Sequence, residues 1–414
     1  MTSMKPSTSD GRASLSPQTI DGFLILGALS LIGRFCVQAV KAVVEGTAFC
    51  DYANWYLYSR LLAQGTAVYD LSEEALRSVQ ATMPVHVCGP ANSSPILFSL
   101  VRLFDSPNYF QSLDRWLIFC LFIVSLSIPL VVYGLGLQSD FRMTVLAVIV
   151  LFLFPYLLES FVLGQTSMIV HTALAAFFFF LQRRNVWPAA VAGIAVVAIK
   201  INFMPVLLIP VALRNWRVCA ATAVCGLGSL VAMVLALGTA THVSFIRNAM
   251  RLGFRAQVFF DPMNPSLQHT IQGLLHGIHP RTANAVFLGV VAVIVMTTVI
   301  RLWNCRTPDP SIVFSTIVAA TLAITTFLEV HYLLFLFIPI LVAIARIGDR
   351  FGRTERALFT AAFVLLAVPF GAESLPVLQS GVLVLVANGK LLGVITLWAL
   401  LARHIRNTTP AIQA

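Results

Sequence analysis

Apolar runs long enough to cross a lipid bilayer recur from residue 21 to residue 402 of this 414-residue chain. A helix needs about 17–25 such residues to span the hydrocarbon core, where only helices and closed barrels leave no backbone polar group unpaired. Charged residues make up 11% of the chain, against roughly a quarter in a typical soluble domain. The runs are continuous and do not alternate as barrel strands do. The sequence therefore predicts an all-α polytopic membrane protein.

The apolar runs predict about twelve transmembrane helices, within a range of about ten to thirteen. The predicted spans are 21–43, 113–136, 143–158, 166–181, 186–199, 201–213, 217–240, 285–303, 311–328, 332–345, 357–372 and 380–402. Residues 1–20 are polar and predict a disordered cytoplasmic N-terminus. We expect residues 21–402 to form a single transmembrane domain and residues 403–414 a cytoplasmic tail.

The basic residues indicate how these helices are oriented. Short connections that hold Arg142, Arg183 or Arg346 alternate along the chain with connections such as "ESFVLGQ" that have no basic residue. Short loops rich in Lys and Arg stay on the cytoplasmic side. Both termini are therefore predicted to be cytoplasmic in a cell inner (plasma) membrane, with two large extracytoplasmic loops at 44–112 and 241–284. The net charge of +10 is divided among many loops without a basic run, which argues against a nucleic-acid partner.

The first large loop opens with "FCDYANWYLYSRLLAQGTAVYD", residues 49–70. This pattern predicts a helix at 51–64 lying at the membrane surface and ended by Gly65, followed by a second short helix near 71–80. The apolar segment 93–104 is too short to span and is expected to be re-entrant or interfacial. Cys50 and Cys88 share this loop, either as free thiols or as a disulfide.

Four polar positions are unusual, and all fall on the predicted outer side: Asp51, Gln165, Lys200 and the Glu329–His331 pair. Each has a structural interpretation, such as a first-turn acid for Asp51 or an interfacial side chain for Lys200. Each also has a functional one, since a carboxylate can act as a general base and an ammonium can bind a phosphate. Their shared side favours a functional site.

The second large loop contains Arg247, Arg251 and Arg255 at a spacing of four residues, which places them along one stripe of a helix. This stripe fits either anionic lipid headgroups or a substrate phosphate. The loop also holds three histidines, but their spacing matches no zinc site. The sequence predicts neither a metal nor a cofactor.

Several segments resemble glycosyltransferase family 87, membrane enzymes of the C-type glycosyltransferase fold that take sugars from polyprenyl-phosphate donors. The similar segments are, in chain order, "DYANWYLYSRLLAQGTAVYD", "GQTSMIV", "VAGIAVVAIKINFMPVLLIPVAL", "NPSLQHTIQGLL" and "HYLLFLFIPIL". Together they extend over roughly residues 45–345. The chain departs from the family in "NSSPILF", which keeps one proline, and in the longer spacing between Lys200 and Pro205.

The resemblance implies an inverting hexosyltransferase that acts at the extracytoplasmic face, with mannose as the favoured sugar. Asp51 would be the general base, and the donor phosphate would bind Lys200, His331, Arg251 and Arg255. Residues implied to bind the sugar or the acceptor are Gln165, Asn264, Ser266, Glu329 and Tyr332. The expected partners are the lipid-linked donor, a membrane lipid or glycan acceptor, and the bilayer.

A twelve-helix transporter or lipid flippase is the alternative interpretation, since such proteins also place ionisable residues beside a cavity. It predicts polar residues near the middle of the membrane and an internal repeat. The sequence shows no such repeat, and its large outward loops favour an enzyme.

Overall fold

The computed structural model describes residues 17–44, 49–85, 87, 93–254, 265–276, 279–326, 328–367, 378 and 380–406. Regular structure in these residues is helical throughout, and no strand forms among them. The α-helices of this part of the chain are α1 (Pro17–Val44), α2 (Cys50–Ala63), α3 (Glu73–Gln80), α4 (Pro95–Arg102), α5 (Tyr109–Gly134), α6 (Phe141–Leu153), α7 (Pro155–Val162), α8 (Ser167–Gln182), α9 (Val186–Ile199), α10 (Ile209–Ala212), α11 (Trp216–Leu237), α12 (Thr239–Phe254), α13 (Leu267–Leu274), α14 (Pro280–Trp303), α15 (Pro310–Ile324), α16 (Phe337–Val342), α17 (Arg353–Ala367), α18 (Val384–Ala387) and α19 (Gly389–Arg403). The all-α prediction is confirmed for these residues.

Five helical segments are long and apolar enough to cross a membrane: α1, α5, α11, α14 and the segment Val330–Arg350. Two bent pairs, α6 with α7 and Gly381–Ala387 with α19, raise the number of candidate spans in the described residues to seven. Shorter apolar helices coincide with four other predicted spans, namely α8, α9, Ile201–Ala212 and α15. The predicted span 357–372 falls on α17 and on residues outside the described ranges. The chain is thus a helical membrane protein, and the count of twelve spans stays a prediction.

Polar caps and prolines explain where many of these helices begin. Side-chain oxygens of several N-cap residues accept backbone N–H groups of the first turn, among them Asn108 before α5, Asp140 before α6, Asn215 before α11 and Asp309 before α15. Such caps satisfy donors that the helix itself leaves unpaired. Pro155 has no N–H to donate, so the single span predicted at 143–158 is instead bent by 56° between α6 and α7.

The most deeply buried helices are α8, α15 and the segment Val330–Val342. Helix α8 packs against α5 and α9, and its Phe177 and Phe178 are fully buried and contact Phe314 of α15 edge to face. In contrast, α1, α11 and α14 expose most of their apolar side chains, as expected of helices that face lipid. The central helices therefore form the frame on which the site is built.

The connections between helices gather at two ends of the bundle. At one end, the Arg183 side chain donates to the backbone oxygen of Tyr133, and Arg346 donates to that of Leu135, so the ends of α5 and α8 and the segment Ala343–Ile347 lie together. At the other end, the Trp116 indole near the start of α5 donates to the backbone oxygen of Gly164, just before α8. The end of the bundle that contains Arg183 and Arg346 is called the arginine end.

The first large loop corrects one expectation. A helix forms as predicted, Cys50–Ala63 against 51–64, and the second follows at Glu73–Gln80. Its aromatic side chains pack inside the protein, however, because Tyr52 and Tyr56 are buried against Trp116 and Tyr109 of α5. Residues 95–102 of the predicted re-entrant segment form α4, which packs on α2. Cys88 lies outside the described residues.

Candidate functional site

Asp51 lies in the first turn of α2, and two backbone hydrogen bonds of Phe49 fix the start of this helix. Phe49, just before the helix, has a left-handed φ of 79° and donates its N–H to the backbone oxygen of Val162 at 2.7 Å. Its own carbonyl accepts the Ala53 N–H at 2.9 Å. The positive end of the helix dipole favours the ionised carboxylate at this position. The backbone thus fixes where Asp51 lies.

Gly164 and Gln165 bring a second polar group to Asp51. Gly164 has a φ of +69°, and a Cβ there would come within 2.8 Å of the Tyr52 Cβ, so only glycine allows this close approach. The following Gln165 is buried, and its side-chain amide donates a hydrogen bond to Asp51 Oδ2. In the described part of the chain no side-chain or loop donor contacts the other oxygen, Oδ1.

Lys200 ends α9, and a 3₁₀-helix starts directly after it at Ile201. Its side chain is buried, with Nζ 3.9 Å from the centroid of the Tyr332 ring. The Ser94 hydroxyl, which precedes α4, donates to the backbone oxygen of Ala198 at 2.7 Å. This bond ties the first large loop to the end of α9, two residues before Lys200.

Glu329, His331 and Tyr332 start the neighbouring 3₁₀-helix, Val330–Leu336. His331 Nε2 lies 2.8 Å from Glu329 Oε2 and 3.4 Å from Lys200 Nζ. The Tyr332 hydroxyl hydrogen-bonds to the Glu329 carboxylate and to the Asn202 side chain. The two 3₁₀-helices therefore share one polar cluster, made of Lys200, Asn202, Glu329, His331 and Tyr332.

The position of the proton on the His331 ring determines whether Lys200 can donate a hydrogen bond to this ring. Nε2 must carry hydrogen to donate to Glu329, so it cannot also accept a hydrogen bond from the Lys200 ammonium. The three N–H groups of Lys200 consequently face His331 and the Tyr332 ring without an acceptor among these side chains. A buried cation in this situation is suited to an anionic oxygen brought by a ligand.

Asp51 and this cluster act on each other electrostatically. Burial raises the pKa of Asp51 to about 6, and the Glu329 carboxylate adds to the rise, whereas the hydrogen bond from Gln165 and the Lys200 ammonium oppose it. A carboxylate with a pKa near the working pH can both take up and release a proton. The structure therefore brings a tuned carboxylate into the electrostatic range of a buried cation.

The family model described as glycosyltransferase family 87 matches residues 96–328, which is more than half of the 414-residue chain. The chain belongs to glycosyltransferase family 87. The match includes Gln165 and Lys200 and ends one residue before Glu329, so Asp51 and His331 lie outside it. No similar protein was found among curated sequences. The protein is therefore a membrane glycosyltransferase.

Other residues predicted for the site of this glycosyltransferase are placed less completely. Asn264 and Arg255 lie outside the described residues, and Arg251 is described only through its backbone in α12. Ser266 is buried, and its hydroxyl caps α13 by accepting the His269 N–H at 3.2 Å. Roles of these residues in binding stay predictions, and the cap gives Ser266 a structural role as well.

Two residues of the site were missed by sequence reasoning. Asn202 bonds the Tyr332 hydroxyl, and its position two residues after Lys200 in "AIKINFMP" was a polar signal within an apolar run. Ser94 joins the first loop to α9, but nothing in "NSSPILF" indicates a partner so distant in sequence. Among the described residues, no group of three His, Cys, Asp or Glu side chains has the arrangement of a metal site.

Proposed function

We propose that this glycosyltransferase moves a hexose, with mannose favoured, from a polyprenyl-phosphate donor to a lipid or glycan acceptor, with inversion at the anomeric carbon. The observation that carries the proposal is the position of Asp51, whose Oδ2 is bonded by Gln165 and whose charge interacts with Lys200. A base and a cation near one another are what a single displacement at a sugar carbon needs.

In the proposed reaction, Asp51 takes the proton of the acceptor hydroxyl while the hydroxyl oxygen attacks the anomeric carbon. The bond from that carbon to the phosphate oxygen breaks, and its electron pair leaves with the polyprenyl phosphate. Attack opposite to the leaving group inverts the configuration. One carboxylate therefore suffices for the protein's part in proton transfer.

The departing phosphate gains a negative charge as the bond breaks, and a cation already in place stabilises that charge without reorganisation. Lys200 is our first candidate because its N–H groups lack an acceptor in the cluster, and His331 lies 3.4 Å from its Nζ. Arg251 and Arg255 would complete the phosphate site. Because the donor brings its phosphate on a lipid, the proposal requires no cofactor.

Sugar and acceptor hydroxyls would be oriented by the remaining polar side chains. Gln165 contacts Asp51, the Tyr332 ring contacts Lys200, and Glu329 contacts His331 through the pairs described above. Glu329 and Tyr332 also hold each other and His331, so a sugar that displaced one bond would disturb the others. We propose Asn264 and Ser266 as further hydroxyl ligands.

We also propose a C-type architecture of about twelve spans in one transmembrane domain, residues 21–402, in the inner membrane. The arginine end would face the cytoplasm, as positive loops do. The site and the two large loops, 44–112 and 241–284, would then face outward. In support, Gln165 precedes α8 and Lys200 follows α9, so both polar groups occur at helix ends.

The test compares sugar transfer from a labelled polyprenyl-phosphate hexose by wild type and Asp51→Asn in membranes. Asparagine keeps the shape and can still accept from Gln165, but it is not a base, so we expect a fall in kcat of at least about a hundredfold. Asp114→Asn, at an exposed acid on α5, is the matched control and should transfer as wild type. Equal transfer by wild type and Asp51→Asn would exclude Asp51 as the base.

A further inference from the structure

An apolar groove opens at the protein surface between the segment Ile201–Ala212, α14 and α15. Its volume is about 430 Å³, within the roughly 300–1,000 Å³ of typical small-molecule pockets. Apolar side chains form nearly all of it, from Pro205 at one end to Ala212 and Trp216 at the other. None of the residues of the polar cluster borders this groove.

The groove faces the region that lipid would occupy. Leu208 and Val299 on its rim are 59% and 47% exposed, and both lie on apolar helical segments. Exposed apolar surface on a helical membrane protein is covered by lipid chains. An acyl chain inside the groove would bury more of this apolar surface than an acyl chain that lies on a smooth helix face.

Charge is confined to one end of the groove. Arg214 is the cation that borders it, and Trp216 and Trp303, which are 65% and 80% exposed, also line the groove. The Arg214 backbone is held in a left-handed turn, with φ of 54° and an N–H bond to the Val211 oxygen at 2.9 Å. Among the described residues that form the groove, none is acidic.

We propose that this groove binds an anionic phospholipid, with its phosphate at Arg214 and an acyl chain along the apolar walls. Basic pockets between membrane helices at a cytoplasmic surface bind anionic headgroups, and exposed tryptophans are typical of the headgroup level. The proposal depends on the groove and its charge, and not on the reaction proposed above.

The isoprenoid chain of a polyprenyl-phosphate donor is a less suitable occupant. Its phosphate would lie near Lys200, which begins the segment that forms one wall of the groove, whereas Arg214 follows the other end of that segment. The wall nearest Lys200 starts with Pro205 and presents no charge to the groove. Within the described lining, Arg214 is therefore the only cation that an anionic headgroup in the groove could contact.

Native mass spectrometry of the purified full chain tests the proposal, with phosphatidylglycerol and phosphatidylcholine of identical acyl chains as probes. We expect wild type to retain phosphatidylglycerol preferentially. Arg214→Gln should weaken that retention about fivefold, the effect of one basic residue at a membrane surface. Arg184→Gln is the matched control, because Arg184 also has a left-handed φ, 57°, before an asparagine, but does not border the groove.

Val299→Trp fills the groove from its exposed rim and should lower retention of both lipids, while Val293→Trp, exposed on the same helix outside the groove, should not. Equal effects of Arg214→Gln and Arg184→Gln would overturn the proposal. So would full retention by Val299→Trp. Displacement of phosphatidylglycerol by polyprenyl phosphate, unaffected by Arg214→Gln, would overturn it too and assign the groove to the isoprenoid chain.

Discussion

Neighbouring groups have opposite effects on the pKa of Asp51. Substitutions of these neighbours can therefore change the protonation of Asp51 while Asp51 itself is kept. Burial and Glu329 favour the protonated acid, while Gln165 and Lys200 favour the carboxylate. The present balance puts the pKa at about 6. Because only the carboxylate can accept a proton, the state of this residue should control the rate on the acid side.

We predict that kcat/KM for sugar transfer rises with pH up to about 6, changing about tenfold per unit below that value, and then levels. Gln165→Leu removes a bond that lowers the pKa of Asp51, so its acid limb should move to higher pH. Glu329→Gln removes a charge that raises the pKa, so its limb should move to lower pH. The pH profile of each variant is the measurement.

A purely structural role for Gln165 or Glu329 would lower the rate without moving the limb. Shifts of both limbs in the same direction would contradict the electrostatic argument. Asp114→Asn, at an acid that is not among the groups that shift the pKa of Asp51, should retain the wild-type profile.

Residue types indicated which polar side chains lie near one another, but not which of them make contact. Asp51, Gln165, Lys200 and His331 were expected on one side, and the structure pairs Gln165 with Asp51 and Lys200 with His331. The glycine before Gln165 was visible in the sequence. The sequence did not show that the Gly164 backbone passes within contact distance of Tyr52. Which residue a turn contacts depends on packing between segments that are distant in sequence.

At the scale of elements, α12 is attached to the first large loop by the Tyr69–Asp70 pair. The Ser244 hydroxyl donates to Asp70 Oδ2 at 2.6 Å, and the Tyr69 and Phe245 ring centroids are 5.6 Å apart. Helix α12 carries Arg247 and the backbone of Arg251. The pair therefore positions the helix that carries Arg247 and the backbone of Arg251.

We predict that Asp70→Ala and Ser244→Ala each raise the KM for the donor about threefold to tenfold, with little change in kcat, since one hydrogen bond of about 1 kcal/mol would be lost. The double variant should be no worse than either single variant, because both remove the same bond. Steady-state kinetics with varied donor measure this. Glu74→Ala, at an exposed acid of the same loop, is the control, and additive effects would show that the contact does not position α12.

The sequence predicted the boundaries of the helices better than it predicted what each helix packs against. The predicted 186–199 helix coincides with α9, and 201–213 differs by one residue from Ile201–Ala212. The aromatic helix α2 was predicted at the right place but with the wrong surroundings, because aromatic side chains suit a membrane surface and a protein interior equally well. Only the packing of α5 over α2 distinguishes the two.

At the scale of the whole molecule, the proposed orientation predicts which ends a membrane-impermeant thiol reagent can reach. In a variant lacking the native cysteines, Glu74→Cys on α3 should be labelled from the extracytoplasmic side. Arg184→Cys and Arg350→Cys, at the arginine end, should be labelled only after the membrane is permeabilised. The inverse pattern would reverse the orientation and place the site in the cytoplasm.

The number of transmembrane helices could not be determined from the sequence. Hydropathy located apolar segments well, but α8 and α9 are short for crossing a bilayer, and α6 and α7 meet at a bend. Length alone cannot say whether a short buried helix crosses the membrane, since neighbouring helices shield its ends. The fold class was therefore predictable from the sequence, while the path of each helix through the bilayer was not.

The polar pairs of the site join positions far apart in the order of synthesis. Asp51 and Gln165 are 114 residues apart, and Lys200 and His331 are 131 apart. A ribosome therefore releases the carboxylate long before its amide partner, and the ammonium long before its imidazole neighbour. Chains that stop before Glu329 would leave Lys200 in the membrane domain without this cluster, at a cost that favours their recognition by membrane quality control. Completion of the site thus waits for synthesis of the segment that carries Glu329 and His331.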